Sequence, residues 1–401
     1  MIFQSTKIKY NFVLKRIYHW VSSKWKLIPL LDRWLLGELI PPLFFAIAAF
    51  TVVSLSVGVM FDLIRKIVES GLSAEIALQV LFLKLPGFLV ISFPMAVLMS
   101  SLLAYSRLSS NSELKALRSL GLTTKRIVTP ALILAFIMTL MTFIFNDSIV
   151  PVTNRNAELI LNRSIGKALA TEVGEDIIYS RKGLIKDPTN SINREGLTHL
   201  FYAWKFRNNE MKEITMVDFS RMGYTQFVLA EKAFWNTSEG KWDFRNGRIV
   251  TLSSDGTSNT ASFERYLYPL DKGPINIAEL PKDANDMTVQ EALQAERLYL
   301  NTGNVKEARR MQVRIQEKFT LPMACVVFGL IGSSLGAKPN TRTSRSQGFG
   351  ISVVLILLYY VLSFSFSSLG VKGLLTPFIA GWCPVFISLF GGAYLLKRAS
   401  R

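Results

Sequence analysis

Apolar and polar residues fall along this chain in blocks: three long apolar runs, a long polar middle, then three more apolar runs. A helix rises about 1.5 Å per residue and needs around 20 apolar residues to cross about 30 Å of hydrocarbon. Six segments meet that length, at 39–61, 77–105, 127–145, 319–335, 350–369 and 375–396. Lys84 is the one charge inside them, and it lies near a span end, where a lysine can snorkel to the headgroups. Lipid leaves the backbone no outside hydrogen-bond partner, so all six are expected to be helices.

The polar middle changes period. Stretches at 177–180, 198–206, 214–219, 226–235 and 248–252 are short, aromatic and β-branched, and several alternate apolar with polar. Turn residues separate them: Asn208-Asn209, Ser238-Glu239-Gly240, Asn246-Gly247 and Ser254-Asp255-Gly256. Many short strands with regular turns predict a sandwich or jelly roll. From 287 to 301 a helical period returns, with Val289, Ala292, Leu293 and Leu298 on one face. The expected architecture is an α+β membrane protein with six transmembrane helices, three before and three after an inserted β-jelly-roll domain. Its divisions are a basic extension (1–30), helices 1–3 (31–150) with a short helix at 112–120, the β domain with its returning helix (151–307), and helices 4–6 (308–401).

Charge orients this layout. The formal net charge is +17, and 18 Lys and Arg sit in 1–38, 106–126, 336–349 and 397–401 against only Asp32, Glu38 and Glu113. The positive-inside rule then puts both termini in the cytoplasm and the β domain outside, in a multi-pass protein of the bacterial inner membrane. Topology accounts for most of the basic excess, so no nucleic-acid partner is implied. The first apolar run is a full span, expected to act as an uncleaved signal anchor. Residues 1–30 are basic and aromatic, a composition that suits either a helix on the inner leaflet or an unordered tail. Cys325 and Cys383 both fall in spans, which leaves the β domain without a disulfide.

Ingredients for catalysis are few. His19 and His199 are expected on opposite sides of the membrane, and the chain carries no Walker A loop, HExxH, GxSxG or cysteine pair with ligand spacing. The connection between spans two and three is the sharpest local signal. Ser110 and Glu113 have the spacing of a capping box; Leu114, Leu117 and Leu120 share one side; Gly121 is placed to end the helix. Such a helix either lies against headgroups or docks in the groove of a soluble partner.

Several motifs in order resemble one family: Leu31-Asp32-Arg33-Trp34, Leu85-Pro86, Phe93-Pro94, Leu108 to Leu114 through Gly121, Asn146 to Pro151, Met287-Thr288, Leu321-Pro322 and Gly381-Trp382-Cys383-Pro384. The chain resembles the lipopolysaccharide-export permeases LptF/LptG (YjgP/YjgQ), and the likeness covers everything after residue 30. It implies a non-enzymatic subunit of an ABC exporter that extracts lipopolysaccharide or a related glycolipid and passes it through its periplasmic jelly roll toward the outer membrane. The implied partners are a cytoplasmic ABC ATPase, a second permease subunit, periplasmic jelly-roll bridge proteins and lipopolysaccharide. ATP and Mg would be bound by the ATPase, and this chain would hold no cofactor or metal. Coupling is expected at Glu113, Leu114, Leu117, Arg118 and Leu120. Substrate contact is expected at Arg65, Lys66, Lys84, Arg310 and Arg314, within an outer basic cluster that also includes Arg309 and Lys318. Interfacial anchoring is the competing reading for these cations. Two other classes compete with export: a scaffold whose β domain binds partners, and a secondary transporter. A scaffold needs no ATPase-docking helix, and an ion-coupled transporter would want an acid, His or Arg at a span centre, which no span carries.

Overall fold

The computed structural model describes residues 29–164, 175–185, 194–207, 210–278, 286–301, 304–338 and 345–400. The basic extension and the Asn208-Asn209 turn therefore lie outside the described residues. Helix α1 (Leu30–Leu55) continues through a π-helical turn (Ser56–Met60) into α2 (Phe61–Ser70), which ends at the left-handed Gly71. Then come α3 (Ala74–Ser110), the short α4 (Glu113–Ser119), and α5 (Thr124–Ile144), which passes through a second π turn (Phe145–Ile149) into α6 (Val150–Ser164). After the sheet follow α7 (Gly273–Ala278), α8 (Val289–Asn301), α9 (Val305–Gly336), α10 (Arg345–Lys372) and α11 (Pro377–Ala399). Six of these rods are long and apolar enough to cross a membrane, and several run well past the segments predicted from hydropathy.

Their starts follow from side-chain caps. The hydroxyls of Ser73, Thr123 and Thr376 accept from backbone N–H groups three residues on, satisfying donors that a helix N-terminus leaves free. In the bundle α3 and α9 are central. A methyl group added at Gly332 would sit 2.8 Å from the Leu98 carbonyl, and one at Gly336 would sit 2.9 Å from that of Leu102. Small residues let the two backbones meet, which is how helices associate where lipid competes for apolar surface. Gly329 faces Ala135 of α5 and Gly392 of α11 faces Leu330, so α9 touches its neighbours through glycines on several sides.

The β insert holds six long antiparallel strands in chain order: β1 (Glu175–Ile185), β2 (Arg194–Arg207), β3 (Glu210–Arg221), β4 (Tyr224–Asn236), β5 (Lys241–Ser253) and β6 (Ser258–Tyr268). All five predicted stretches lie in β1–β5, while β6 had not been foreseen. The strands form a meander, and the crossover of a jelly roll is not among the described residues. A meander still makes two layers here because the sheet creases. Burial alternates along each strand and then skips. Met211 and Ile214 are buried around exposed Lys212 and Glu213, and Ala230 and Ala233 are buried around exposed Glu231 and Lys232. Lys212 pairs with Lys232, Lys232 with Arg245 and Arg245 with Arg265, so the skips align across the sheet. Glu213 and Asn246 take left-handed φ values of 50° and 52° at this line.

The crease corrects one reading of the sequence. Asn246-Gly247 is no hairpin turn but lies in the middle of β5. Its turn-type residues supply the left-handed backbone of the fold line, and a side chain at Gly247 would collide with the Leu229 carbonyl and the Phe263 ring. Folding brings the two inner faces together, with Phe201 of one layer 5.3 Å from Trp242 and 6.3 Å from Phe244 of the other, ring centre to ring centre. A buried polar clasp completes the closure. Tyr268 of β6 donates to Asp218 of β3 at 2.5 Å and lies 2.8 Å from Nε2 of His199 on β2. Burial pushes the His199 imidazole below its ordinary pKa, and the facing Asp218 carboxylate opposes this only in part.

Candidate functional site

At the end of the bundle that carries the termini, α4 sits against its own protein. The expected capping box is not formed. Helix α3 continues to Ser110, whose hydroxyl bonds back to the Arg107 carbonyl at 2.8 Å, so Ser110 cannot cap the next helix. The chain reverses through Asn111 and a left-handed Ser112 (φ 63°), and Asn111 donates to Glu113 at 3.0 Å. Gly121 does end the turn, at φ 87°.

The leucine ridge divides. Leu114 is buried among the residues of α1, α3 and α5, Leu117 packs half-buried on the same cluster, and Leu120 is 78% exposed. Arg118 also turns inward, donating to the Ala337 carbonyl at 2.8 Å and to that of Ala399 at 3.1 Å. Those carbonyls lie at the C-terminal ends of α9 and α11, where a guanidinium meets both unsatisfied acceptors and the negative ends of two helix dipoles. Ser109 adds a bond to the Lys338 carbonyl at 2.8 Å, and Arg126 of α5 grips Asp32 of α1 with two bonds of 2.6 and 2.8 Å. The element is therefore a strapped plate, with Lys115, Ala116, Ser119 and Leu120 outward. Periodicity located the plate but missed the strap, because a bond to a distant carbonyl leaves no local pattern.

At the β-domain end, four of the five expected substrate cations are held in ion pairs on their own helices. Arg65 pairs with Glu69 at 3.1 Å and Lys66 with Asp62 at 2.7 Å on α2. Arg310 pairs with Glu307 at 3.5 Å and Arg314 with Glu317 at 2.6 Å on α9. Lys84, half-buried on α3, makes no salt bridge among the described residues. Lys318 differs from all of these, being 6% exposed and donating to the Asn146 carbonyl at 3.3 Å.

Asn146 belongs to the second π turn, and that turn anchors the returning helix. Asp147 accepts the Val289 N–H at 2.8 Å, Asn154 donates to Asp286 at 2.6 Å, and Arg155 pairs with Glu291 at 3.1 Å. A true capping box stands here: the Thr288 N–H donates to Glu291 at 2.8 Å, and the Thr288 hydroxyl accepts from the Glu291 N–H at 3.2 Å. Burial works against the Glu291 charge, but the Thr288 amide and Arg155 outweigh it and hold the carboxyl below its ordinary range. Thr288-Val-Gln-Glu291 was legible as a helix start, and its spacing is the signal that could have found this joint.

Six membrane-crossing rods, split three and three around a folded β insert and tied at both ends by polar joints, define a polytopic transport permease. The chain belongs to the LptF/LptG family: the model for the lipopolysaccharide export system permease LptF/LptG matches residues 33–398. No curated protein matches the chain. It is thus a membrane-spanning permease of the lipopolysaccharide-export ABC system, and ATP is hydrolysed on a separate subunit of that system.

Proposed function

We propose that the chain sits in the inner membrane with both termini cytoplasmic, and that α4 receives the stroke of the cytoplasmic ATPase. The charge asymmetry of the inner segments supports the orientation. The observation that carries the coupling role is the Arg118 strap. A push on the outward face of α4 is transmitted through one guanidinium to the ends of α9 and α11, and through Leu114 to α1, α3 and α5. Glu113 and Leu120 are the members of the expected set that can meet the motor, whereas Leu114, Leu117 and Arg118 carry force inward.

Lipopolysaccharide enters beside the half-open helices α1 and α10, in a cavity completed by a second permease subunit. Its phosphates meet cations at the β-domain end. Arg65, Lys66, Arg310 and Arg314 would exchange their helical carboxylates for lipid phosphate, and exposed pairs of this kind are weak enough to exchange. Lys84 has no such partner to release. The creased sheet then hands the lipid to periplasmic bridge proteins of similar build.

Leu120→Asp tests this reading most directly. It places a charge on the motor-facing surface without touching the buried cluster, and a desolvated charge costs several kcal/mol of docking, on the order of 2–7. Expected are normal membrane levels, poor recovery of the ATPase subunit and lost export. Retention of both the subunit and export removes α4 as the coupling element. Orientation is read separately: a cysteine at Ser254 should react with an impermeant thiol reagent in intact spheroplasts, and one at Ser119 only after lysis.

A further inference from the structure

A polar pocket of ≈ 220 Å³ lies among α9, α10 and the second π turn, at the level where the bundle meets the β domain. Its wall includes Asn146, Arg314, Lys318, Thr320, Tyr360 and Ser363. Three features mark it as a built site. The Lys318 ammonium is buried yet has one acceptor among the described residues, the Asn146 carbonyl, out of three protons to place. The Tyr360 hydroxyl is buried with no hydrogen-bond partner, which leaves a phenol donor unsatisfied beside an apolar helix. Phe364, one turn along α10, also lines the pocket and is 75% exposed, so the opening faces the surface that lipid covers.

The charges select the ligand. Glu317 also lines the pocket and neutralises Arg314 at 2.6 Å, which leaves Lys318 in excess there. The acids on the far side of Lys318 already have partners: Asp147 holds the Val289 amide, Asp286 the Asn154 amide and Glu291 the Arg155 guanidinium. A ligand that fits carries a negative charge, accepts several hydrogen bonds and has an apolar tail to leave along Phe364. We propose that this pocket holds the phosphate of an outer-leaflet lipid headgroup, taken by Lys318 and Tyr360 with Arg314 at its rim. Placement in the outer leaflet rests on the orientation proposed above. Two lipids supply the same chemistry: a transported glycolipid at rest on its way to the β domain, or a resident phospholipid.

Photocrosslinking of the full-length chain tests it. A benzophenone amino acid at Ser363 is placed in nanodiscs of phosphatidylcholine, doped in separate arms with lipid A, phosphatidylglycerol or the phosphate-free diglucosyl diacylglycerol. A phosphate-bearing dopant is expected to be captured at least fivefold over the phosphate-free one. Capture of lipid A identifies a substrate resting point, and capture of phosphatidylglycerol alone identifies a resident lipid. Either is expected to drop severalfold in Tyr360→Phe, which keeps the ring and its packing, and further in Lys318→Gln. Equal capture of the phosphate-free lipid, no capture in any arm, or full capture in both variants overturns the site. The Ser254 and Ser119 labelling result separates that failure from a wrong orientation, because it does not depend on the pocket.

Discussion

The paired helices α3 and α9 and the paired helices α1 and α10 are equally apolar but differ in what they touch. In the most apolar stretch of α3 and of α9, 67% of residues are buried inside the chain; for the rod beginning with α1 the share is 22%, and for α10 it is 17%. Hydropathy scores all four as spans and does not see this difference. It arises from small residues: α9 presents Gly329, Gly332 and Gly336 to its neighbours, whereas α10 presents Leu357, Leu358, Val361 and Phe364 outward. Glycine invites a backbone, and bulky side chains wait for lipid or another subunit. One pair is a finished interface and the other is half of one.

The sharpest way to break that contrast is to load the finished interface. Gly332→Leu forces a side chain against the Leu98 carbonyl and Ser101, and overpacking at so close a contact should cost about 3 kcal/mol or more. Expected is a chain that fails to accumulate in membranes or that unfolds at markedly lower temperature in detergent. The reverse experiment acts on the open pair. Leu358→Ala with Phe364→Ala removes apolar surface that touches nothing in this chain, so thermal stability should move by only about 0.5 kcal/mol. Co-purification of a differently tagged permease subunit should fall severalfold. If pairing is unchanged and stability drops instead, α10 is a packed helix and the contrast is wrong.

The smallest expected effect lies outside the membrane and uses the β domain as a reference. The folded His199 titrates below its ordinary 6.5, so above that pH both folded and unfolded chains hold it neutral. As pH falls through 6.5 the unfolded chain gains a proton before the folded one, and stability declines until the folded pKa is passed. Thermal unfolding followed by Trp242 fluorescence should show this slope, and His199→Gln should flatten it. A slope that survives the substitution assigns the pH response to other groups.

How much of this was legible depends on range. Spans, strand stretches, the αL Gly121 and the returning helix are written in local period and turn chemistry, and each was found with its ends short by several residues. The ends were short because helices α2 and α6 are polar extensions of apolar rods and carry no hydropathy signal. Asn246-Gly247 misled because a left-handed pair serves a crease as well as a hairpin, and only pairing on both sides of β5 tells them apart. Ser110 and Thr288 each begin a cap-like spacing, yet only Thr288 caps, since α3 had already claimed Ser110. The joints made by Arg118 and Asp32 join residues 94 or more positions apart, and nothing in the local sequence announces them.

The rods that carry the β domain are longer than any membrane needs. The helix from Leu30 to Glu69 has 40 residues and that from Thr124 to Leu161 has 38, or close to 60 Å each at about 1.5 Å per residue, roughly twice the hydrocarbon thickness. Each is a lever whose fulcrum lies in the bilayer. A tilt of about 10° at the plane of the headgroups would swing a tip roughly 30 Å away through about 5 Å, close to the rise of one helical turn. The π turns at Ser56–Met60 and Phe145–Ile149 sit along these shafts, where a widened turn lets a rod flex without parting. A motor pushing at one end of this molecule thus needs only a short throw to move the other end by a distance a lipid would feel.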